Sequence, residues 1–317
     1  MIEVIGLTKR FGPVAAVSGV NLRVGKGEVL GFLGPNGAGK STTMKMITGY
    51  LTPSEGSVKV LGHDIEEDTI AAQANIGYLP EGAPAYGDMT ARQFLTFIAE
   101  VRGFAGAGAK LRVDEAVSKT DLAAVLDQPI ETLSKGFKRR VGLAQAILHD
   151  PPVLVMDEPT DGLDPNQKHA VRALLRDMAS QKAIIVSTHL LEEVEAICTR
   201  AVIIDRGQIV ADGTPSQLLA RSRYHNAVTL TLPGGSINAA RTKLASLKAV
   251  VATEESPRSD GTIQITAFPK PGEIIIEDVS AIAAAEKWDV KEFYAEAGRL
   301  DDVFRAITTP DSTGSAA

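Results

Sequence analysis

Gly34-Pro35-Asn36-Gly37-Ala38-Gly39-Lys40-Ser41 is a glycine-rich loop that indicates the class of fold. It matches the pattern G-x-x-x-x-G-K-[ST], follows the apolar run Val29–Leu33 and precedes a helical stretch, Thr42–Thr48. Glycines allow backbone N–H groups to surround phosphate oxygens, and the helix N-terminus adds the positive end of its dipole. We therefore expect Lys40 to reach the β and γ phosphates of a nucleotide and Ser41 to ligate Mg²⁺. The alternative is a glycine-rich structural turn.

Two carboxylates, Asp157 and Glu158, end the apolar run Val153–Met156. Open α/β sheets bind their ligands at the carboxyl ends of strands. We expect Asp157 to hold Mg²⁺, directly or through water, and Glu158 to polarise the water that attacks the γ phosphate. Taken alone, such a pair is more often a solvated strand end, so the phosphate loop is what favours the catalytic interpretation.

A histidine occupies the same position after another apolar run. His189 follows Ala183–Thr188, where its side chain could hydrogen-bond the γ phosphate and the attacking water. A lone histidine at a strand end is usually structural, so this role also depends on the phosphate loop.

A second helix start is suited to phosphate. Leu133-Ser134-Lys135-Gly136-Phe137 precedes an amphipathic helix predicted over about Lys138–His149. Ser134 or Gly136 at such a start leaves free backbone donors that face an anion. Two interpretations stay open: an ordinary capped helix, or a head-to-tail dimer in which each copy covers the nucleotide held by the other.

Composition limits the remaining possibilities. The chain has 317 residues, 44% of them hydrophobic, which is enough for about two domains with buried cores. The net charge of −6 gives no electrostatic reason to bind nucleic acid, and the single cysteine, Cys198, excludes an internal disulfide. No signal peptide or membrane span is apparent, so we expect a cytosolic chain with a peripheral membrane role through a partner.

The alternation of strands and helices predicts an α/β fold. β-Branched runs recur between helical segments, which argues for a mainly parallel sheet. The runs are Val29–Leu33, Ile76–Leu79, Val153–Met156, Ile184–Ser187 and Ala201–Ile204. Earlier runs lie close together with turn-like connections and suggest an antiparallel layer, namely Ile2–Leu7, Ala16–Val24 and Ser57–Leu61.

The character of the sequence changes near residue 222. We predict a nucleotide-binding domain over 1–221 with a helical subdomain at about 82–150, a small domain over 222–309, and a flexible tail over 310–317. The order βαββαβ after residue 226 suggests a ferredoxin-like α+β domain. Its role stays open between a ligand sensor, a clamp on a dimer and a passive cap, because such folds host many functions.

With these elements in this order, residues 2–220 resemble the nucleotide-binding subunit of an ATP-binding cassette (ABC) transporter. The resemblance implies a P-loop NTPase fold of the ABC ATPase type, with ATP and Mg²⁺ as ligands. It implies that Phe11 stacks on adenine and that Glu81 lies near Mg²⁺ and the membrane partner. It also implies that the phosphates are surrounded by Asn36, Gly37, Ala38, Gly39, Lys40, Ser41 and Thr42.

The resemblance extends to the parts that meet a second copy. Leu133–Phe137 is similar to the family signature, so Ser134 and Gly136 would bind the nucleotide of the other copy. Asp161-Gly162-Leu163-Asp164 resembles the loop that crosses the dimer interface, and His189 resembles the switch histidine. An ATP-dependent homodimer is therefore expected.

Four positions depart from the usual family pattern: Glu81 for Gln, Lys135 for Gly, Phe137 for Gln and Asp161 for Ser. Lys135 could bring positive charge to the γ phosphate across the dimer, or it could be a solvated lysine. Leu79-Pro80-Glu81 and Leu133-Ser134-Lys135-Gly136 are similar to sequences of the ABC-2 or gliding-protein-like branch. That branch implies a separately encoded membrane permease, a place at the cytoplasmic face of the cell membrane, and export as the commoner direction.

Two other function classes are weighed against this one. Soluble ABC-type ATPases that act on ribosomes or nucleic acid generally carry two cassettes or long coiled coils, whereas this chain has one phosphate loop, no heptad run and a negative charge. A small-molecule P-loop kinase would leave the second helix start and the dimer-loop motif unexplained. We expect no nucleic-acid partner.

Overall fold

The computed structural model of the chain describes residues 1–308, with only the backbone at Ser236. The chain forms two compact units, of which the first runs from Met1 to Pro215 and the second begins at Ser216. This division comes one short helix before the predicted boundary near residue 222. The predicted tail over 310–317 lies outside the described residues.

The first unit alternates strands and helices along most of its length. In chain order its elements are β1 (Ile2–Phe11), β2 (Val14–Val24), β3 (Val29–Leu33), α1 (Lys40–Ile47), β4 (Glu55–Val60), β5 (His63–Asp64), α2 (Thr69–Ala74), β6 (Ile76–Leu79), α3 (Ala91–Val101), α4 (Gly106–Thr120), α5 (Lys135–Ile147), β7 (Val153–Asp157), α6 (Pro165–Ala179), β8 (Ala183–Thr188), α7 (Leu191–Ile197), β9 (Arg200–Asp205) and β10 (Gln208–Gly213).

A mixed sheet with the order β10-β9-β3-β8-β7-β6 forms the centre of this unit. Its pairs are parallel except for the edge strand β10, which pairs antiparallel with β9. Leu33 pairs with Thr188 and Asp157 with Ser187, so β3, β7 and β8 end at the same edge. The predicted parallel core is confirmed, and its carboxyl edge collects the loops that carry the candidate site.

A second, antiparallel sheet has the order β2-β1-β4-β5 and confirms the predicted antiparallel layer. Helix α1 contacts β1 and β2 of this sheet and β7 of the parallel sheet. Its Met44, Met46 and Ile47 are buried in one apolar cluster with side chains of both sheets, including Val4 and Phe32. The phosphate loop therefore leads into a helix that is packed between two sheets.

Two details differ from the prediction. Helix α5 begins at Lys135 rather than near Lys138, because Ser134 caps it: the Ser134 hydroxyl accepts a hydrogen bond from the Phe137 N–H at 3.3 Å. Strand β10 was not predicted, since its residues lie at a sheet edge, are partly exposed and show no clear alternation of apolar and polar side chains. Within residues 1–308, no helix is both long and apolar enough to cross a membrane.

The second unit begins within α8 (Pro215–Leu219) and continues through β11 (Val228–Pro233), α9 (Ile237–Ala245), β12 (Val250–Pro257), β13 (Thr262–Pro269), α10 (Ile276–Ala285), β14 (Glu292–Ala295) and α11 (Leu300–Thr308). Its antiparallel sheet has the order β12-β13-β11-β14, and its own apolar core includes Leu230, Ile265 and Val279. The order of elements is the predicted βαββαβ. A relationship to ferredoxin-like domains stays a prediction.

A half-buried histidine, His149, is expected to make the fold sensitive to acid. His149 Nε2 lies 3.1 Å from the Ile76 carbonyl oxygen, and the Arg102 guanidinium donates to the same oxygen at 3.3 Å. Burial, followed by the positive charge of Arg102, lowers the pKa of His149 to about 4. The folded chain therefore holds His149 neutral where an unfolded chain would protonate it.

We expect stability from His149 above the ordinary histidine pKa of about 6.5, and its loss as the pH falls from there towards 4. As the pH falls across this window, the free energy of unfolding should decrease less in His149→Gln than in the original chain. The difference should be on the order of 1–2 kcal/mol, after discounting for partial solvent access to the histidine. Urea unfolding at several pH values measures it. His169→Gln, at an exposed position, is the control. Equal pH dependence in His149→Gln and the original chain would contradict the prediction.

Candidate functional site

The phosphate loop has its shape because two glycines lie where a side chain does not fit. Gly39 precedes α1 with φ +107°, and a Cβ there would lie 2.6 Å from the Ala16 carbonyl oxygen. A Cβ at Gly34 would lie 2.4 Å from the Ile204 carbonyl oxygen. The loop is therefore pressed against β2 and β9, and only glycine fits there without displacing backbone.

Lys40 is folded over this loop. Its ammonium group donates to the carbonyl oxygens of Gly34 at 2.7 Å and Pro35 at 3.1 Å, and the residue is 6% exposed. Burial lowers the pKa of Lys40, while nearby carboxylates oppose that shift. The opposing carboxylates are those of Glu158, Asp157 and Glu81. A cation is thus held at the N-terminus of α1, where phosphate oxygens would neutralise it.

The end of β7 presents a buried carboxylate with one unused oxygen. Asp157 is 1% exposed, and its Oδ1 accepts a hydrogen bond from the Ser187 hydroxyl of β8. Its Oδ2 is also buried and has no hydrogen-bond partner among residues 1–308. A buried carboxylate oxygen without a partner is costly, so this atom is suited to a cation.

Glu158 follows in a conformation that few side chains adopt. Its φ is +50°, and its N–H donates to the Ser187 carbonyl oxygen at 3.2 Å and to the Ser187 hydroxyl at 3.0 Å. A non-glycine residue in this region costs of order 1–3 kcal/mol, and such residues cluster at functional sites. Ser187 therefore holds both the Asp157 side chain and the Glu158 backbone.

His189 lies directly against Glu158. Its Nδ1 is 2.9 Å from Glu158 Oε1, with the histidine side chain 51% exposed and the glutamate side chain 20% exposed. The carboxylate can accept a proton from water, and the imidazole can orient that carboxylate or contact a phosphate oxygen. The two residues predicted separately at two strand ends thus form one pair.

Most of the predicted residues line a single cavity of about 340 Å³. The predicted residues in its wall are Asn36, Gly37, Gly39, Lys40, Ser41, Thr42, Glu81, Asp157, Glu158 and His189. Ala16 also lines the cavity and was not predicted. The cavity combines backbone donors and one ammonium group on the loop side with three carboxylates and an imidazole on the sheet side.

The donor set fits Mg²⁺. Magnesium prefers oxygen ligands and binds through one or two carboxylates together with substrate phosphates. Asp157 Oδ2, the Ser41 hydroxyl and the Glu81 carboxylate are the oxygen donors expected from the sequence, and all three residues line the cavity. The unpartnered Oδ2 is the observation that supports a cation here.

Four predicted residues lie outside the cavity wall. Phe11 ends β1 with 52% of its surface exposed, and the Lys9 ammonium lies 5.5 Å from its ring centre. Ala38 is buried inside the loop. Ser134 is exposed as the cap of α5, and Gly136 is buried where a Cβ would lie 2.8 Å from Gln167 Oε1. Their predicted contacts with adenine and with the nucleotide of a second copy stay predictions.

Lys135 has a partner in its own chain. Its ammonium lies 2.8 Å from Asp161 Oδ2, and its stem packs on Gly162, where a Cβ would approach it to 2.6 Å. The hydrogen bond from Lys135 lowers the pKa of Asp161. Two of the departures from the family pattern thus compensate each other. Both side chains are substantially exposed, so the ion pair adds at most about 1 kcal/mol to stability.

Sequence reasoning missed two residues that hold the site together. Arg139 is 5% exposed on α5 and donates to the carbonyl oxygens of Pro80 at 2.9 Å, Asp157 and Glu158. It thereby ties α5 to the residue before Glu81 and to the end of β7. Its only sequence signal is a charge on a buried helix. Ser187 is the second of these residues, and a polar side chain within an apolar strand was the signal that could have identified it.

We expect Gly39→Ala to destroy nucleotide binding, because its methyl group would collide with the Ala16 carbonyl and the backbone would be strained. Affinity for a non-hydrolysable ATP analogue, measured calorimetrically, should fall by about 10-fold or more, which corresponds to about 1.4 kcal/mol. Gly62→Ala is the control, since Gly62 has φ +89° with no atom near its Cβ position and lies outside the cavity wall. Unchanged affinity in Gly39→Ala would contradict this account of the loop.

Comparison with known proteins places this geometry in a family. A sequence profile described as ABC transporter matches residues 17–161. The linearmycin resistance ATP-binding protein LnrL of Bacillus subtilis is 35% identical over 235 residues, which cover 74% of this chain and 76% of LnrL. The probable multidrug ABC transporter ATP-binding protein YbhF of Escherichia coli is 38% identical over 223 residues, which cover 70% of this chain but 38% of YbhF.

A solved structure described as an ATP-binding subunit of an ABC transporter superposes with a TM-score of 0.65 at 30% identity, covering 69% of this chain and 91% of that one. The predicted fold class of the first unit is therefore confirmed. Profile, relatives and structure agree, and the chain belongs to the ABC transporter family, whose ATPase fold its first unit adopts.

Proposed function

We propose that this chain hydrolyses ATP and uses the energy to drive a separately encoded membrane permease. The observation that carries the proposal is the cavity at the carboxyl edge of the parallel sheet. There Lys40, an unpartnered oxygen of Asp157 and the Glu158–His189 pair face one another. These are the groups that transfer of a γ-phosphoryl group to water requires.

Each group has a distinct task. Backbone N–H groups from Asn36 to Thr42 and the dipole of α1 bind the phosphates, and the Lys40 ammonium exchanges its two carbonyl partners for β and γ oxygens. Ser41 and Asp157 hold Mg²⁺, with Glu81 as a further oxygen donor. When bound, Mg²⁺ neutralises the charge that develops on the phosphate oxygens.

Glu158 then acts as the general base. Its carboxylate polarises the attacking water and takes its proton, while His189 keeps the carboxylate oriented through the 2.9 Å contact. Arg139 and Ser187 hold the backbone of Glu158 from two sides, so that the carboxylate does not have to be ordered when ATP arrives.

We further propose that two copies close around two ATP molecules. The support is the start of α5: Ser134 is exposed there and lies outside the cavity wall of its own chain, so it is accessible to the nucleotide of another copy. In such a dimer, Lys135 would have to leave Asp161 to reach a γ phosphate. Phe11, also exposed, would stack on adenine.

Export by an ABC-2 type permease is the finer proposal. Two relatives are described as a resistance protein and a probable multidrug transporter protein, and both are ATP-binding proteins. The sequences around Glu81 and Lys135 support the same branch. The chain would then act at the cytoplasmic face of the membrane, with the segment after Glu81 meeting the permease.

Glu158→Gln tests the chemistry. We expect ATP turnover to fall by about 100-fold or more, because the amide cannot accept the proton, while ATP affinity changes by less than about twofold. With ATP and Mg²⁺ the variant should accumulate as a dimer in size-exclusion chromatography with light scattering.

Glu195→Gln, an exposed carboxylate on α7, is the control and should retain normal turnover. Turnover in Glu158→Gln equal to that of the original chain would remove Glu158 from the role of base. A variant that binds ATP and stays monomeric would refute the proposed dimer.

A further inference from the structure

A buried carboxylate on α7 joins the two loops that carry the proposed catalytic pair. Glu193 is 1% exposed. Its Oε1 accepts a hydrogen bond from the Thr160 hydroxyl, and its Oε2 accepts one from the Thr188 hydroxyl at 3.1 Å. Both threonines are 2% exposed, so neither hydrogen bond competes with bulk water. One carboxylate thus connects the loop after β7 with the end of β8.

The positions of the two threonines give this connection a functional meaning. Thr160 is two residues beyond Glu158, and Thr188 immediately precedes His189. Glu193 therefore fixes the distance between the loop after β7 and the end of β8. The 2.9 Å contact between His189 Nδ1 and Glu158 Oε1 joins the same two segments, so it depends on that distance. Thr188 is fixed further, because its hydroxyl accepts from the Leu190 N–H at 3.0 Å.

The charge of Glu193 is unexpected for a packing residue. Burying a carboxylate costs several kcal/mol unless it is paired, and an apolar side chain of similar volume would fill the space at lower cost. Arg172 compensates only in part: its Nη2 lies 3.6 Å from Glu193 Oε1, but 3.0 Å from Oε1 of the exposed Glu192. The two threonine hydroxyls are thus the closest partners of the Glu193 carboxylate.

We propose that Glu193 is a positioning residue of the ATP site, which holds Glu158 and His189 in register by bracing their loops against each other. The inference rests on the proposed ATPase function and deepens it. Glu193 does not line the cavity, so it would not contact a nucleotide bound there. Its removal should therefore slow the chemical step and leave ATP binding intact, because the phosphate loop is untouched.

Three substitutions distinguish a positioning role of Glu193 from a role in folding alone. Glu193→Ala removes both hydrogen bonds, and we expect kcat to fall roughly 10- to 100-fold with KM for ATP within about twofold, as for a misplaced catalytic group. Thr160→Val removes one hydrogen bond without unpairing Arg172, and should show a smaller loss in kcat. Glu193→Gln should recover most of the activity, since an amide can bond both threonine hydroxyls. Glu192→Ala, which removes the exposed partner of Arg172, is the matched control and should keep normal kcat.

A second readout does not depend on turnover. The imidazole nitrogen NMR signals of His189 report its bond to Glu158, and they should shift in Glu193→Ala and in Thr160→Val but not in Glu192→Ala. An unchanged His189 signal in folded Glu193→Ala, or in Thr160→Val if Glu193→Ala does not fold, would overturn the inference. So would a normal kcat in a variant that folds. If the original chain itself fails to hydrolyse ATP, the proposed function fails, and the NMR comparison still decides the role of Glu193.

Discussion

Four ionisable side chains are concentrated at one edge of the parallel sheet, and the surrounding residues are arranged to hold them. Lys40 and Asp157 are almost fully buried, and Glu158 and His189 stand beside them. Such groups are costly to bury alone, so each is held by neighbours: loop carbonyls for Lys40 and Ser187 for Asp157. Asp157 Oδ2 is buried and has no hydrogen-bond partner among the described residues, and it lies at the centre of the proposed chemistry.

Both sheets of the first unit help to position the groups at this edge. Helix α1 begins at the phosphate loop and is fixed by apolar contacts to both sheets, so its N-terminus cannot shift without disturbing the core. Helix α5 also holds the site, because Arg139 donates to the carbonyl oxygens of Pro80, Asp157 and Glu158. Helix α5 thus carries both Lys135, which pairs with Asp161, and Arg139, which donates to the Glu158 carbonyl oxygen.

The sequence predicted the features that are set by a single segment and its neighbours along the chain. The phosphate loop, the buried strands and the polar residues at their ends are readable because each follows from one segment and its flanks. The antiparallel edge β10 was missed because its partly exposed residues have no clear periodicity. Helix α5 was predicted to begin too late because Lys135 and Gly136 do not continue its apolar pattern, although they form its first turn after the Ser134 cap.

Contacts between distant segments were not predictable in the same way. Arg139 and Glu193 each stand among other charged residues in the sequence, and only the folded chain brings them to Glu158 and to Thr160. The pairing of Lys135 with Asp161 likewise joins residues from two separate motifs. The predicted contacts of Phe11, Ser134 and Gly136 involve a nucleotide or a second copy, and they stay predictions.

The proposal that this chain hydrolyses ATP to drive a membrane permease is tested by identifying its partner. Tagged Glu158→Gln protein would be purified from mild-detergent extracts of its own cells with ATP and Mg²⁺, and in parallel with EDTA as the control. We expect a protein with several membrane spans to be recovered with it and to be identified by mass spectrometry. Recovery of ribosomal or nucleic-acid-associated proteins, with no membrane protein, would contradict the account and favour a soluble ABC-type ATPase.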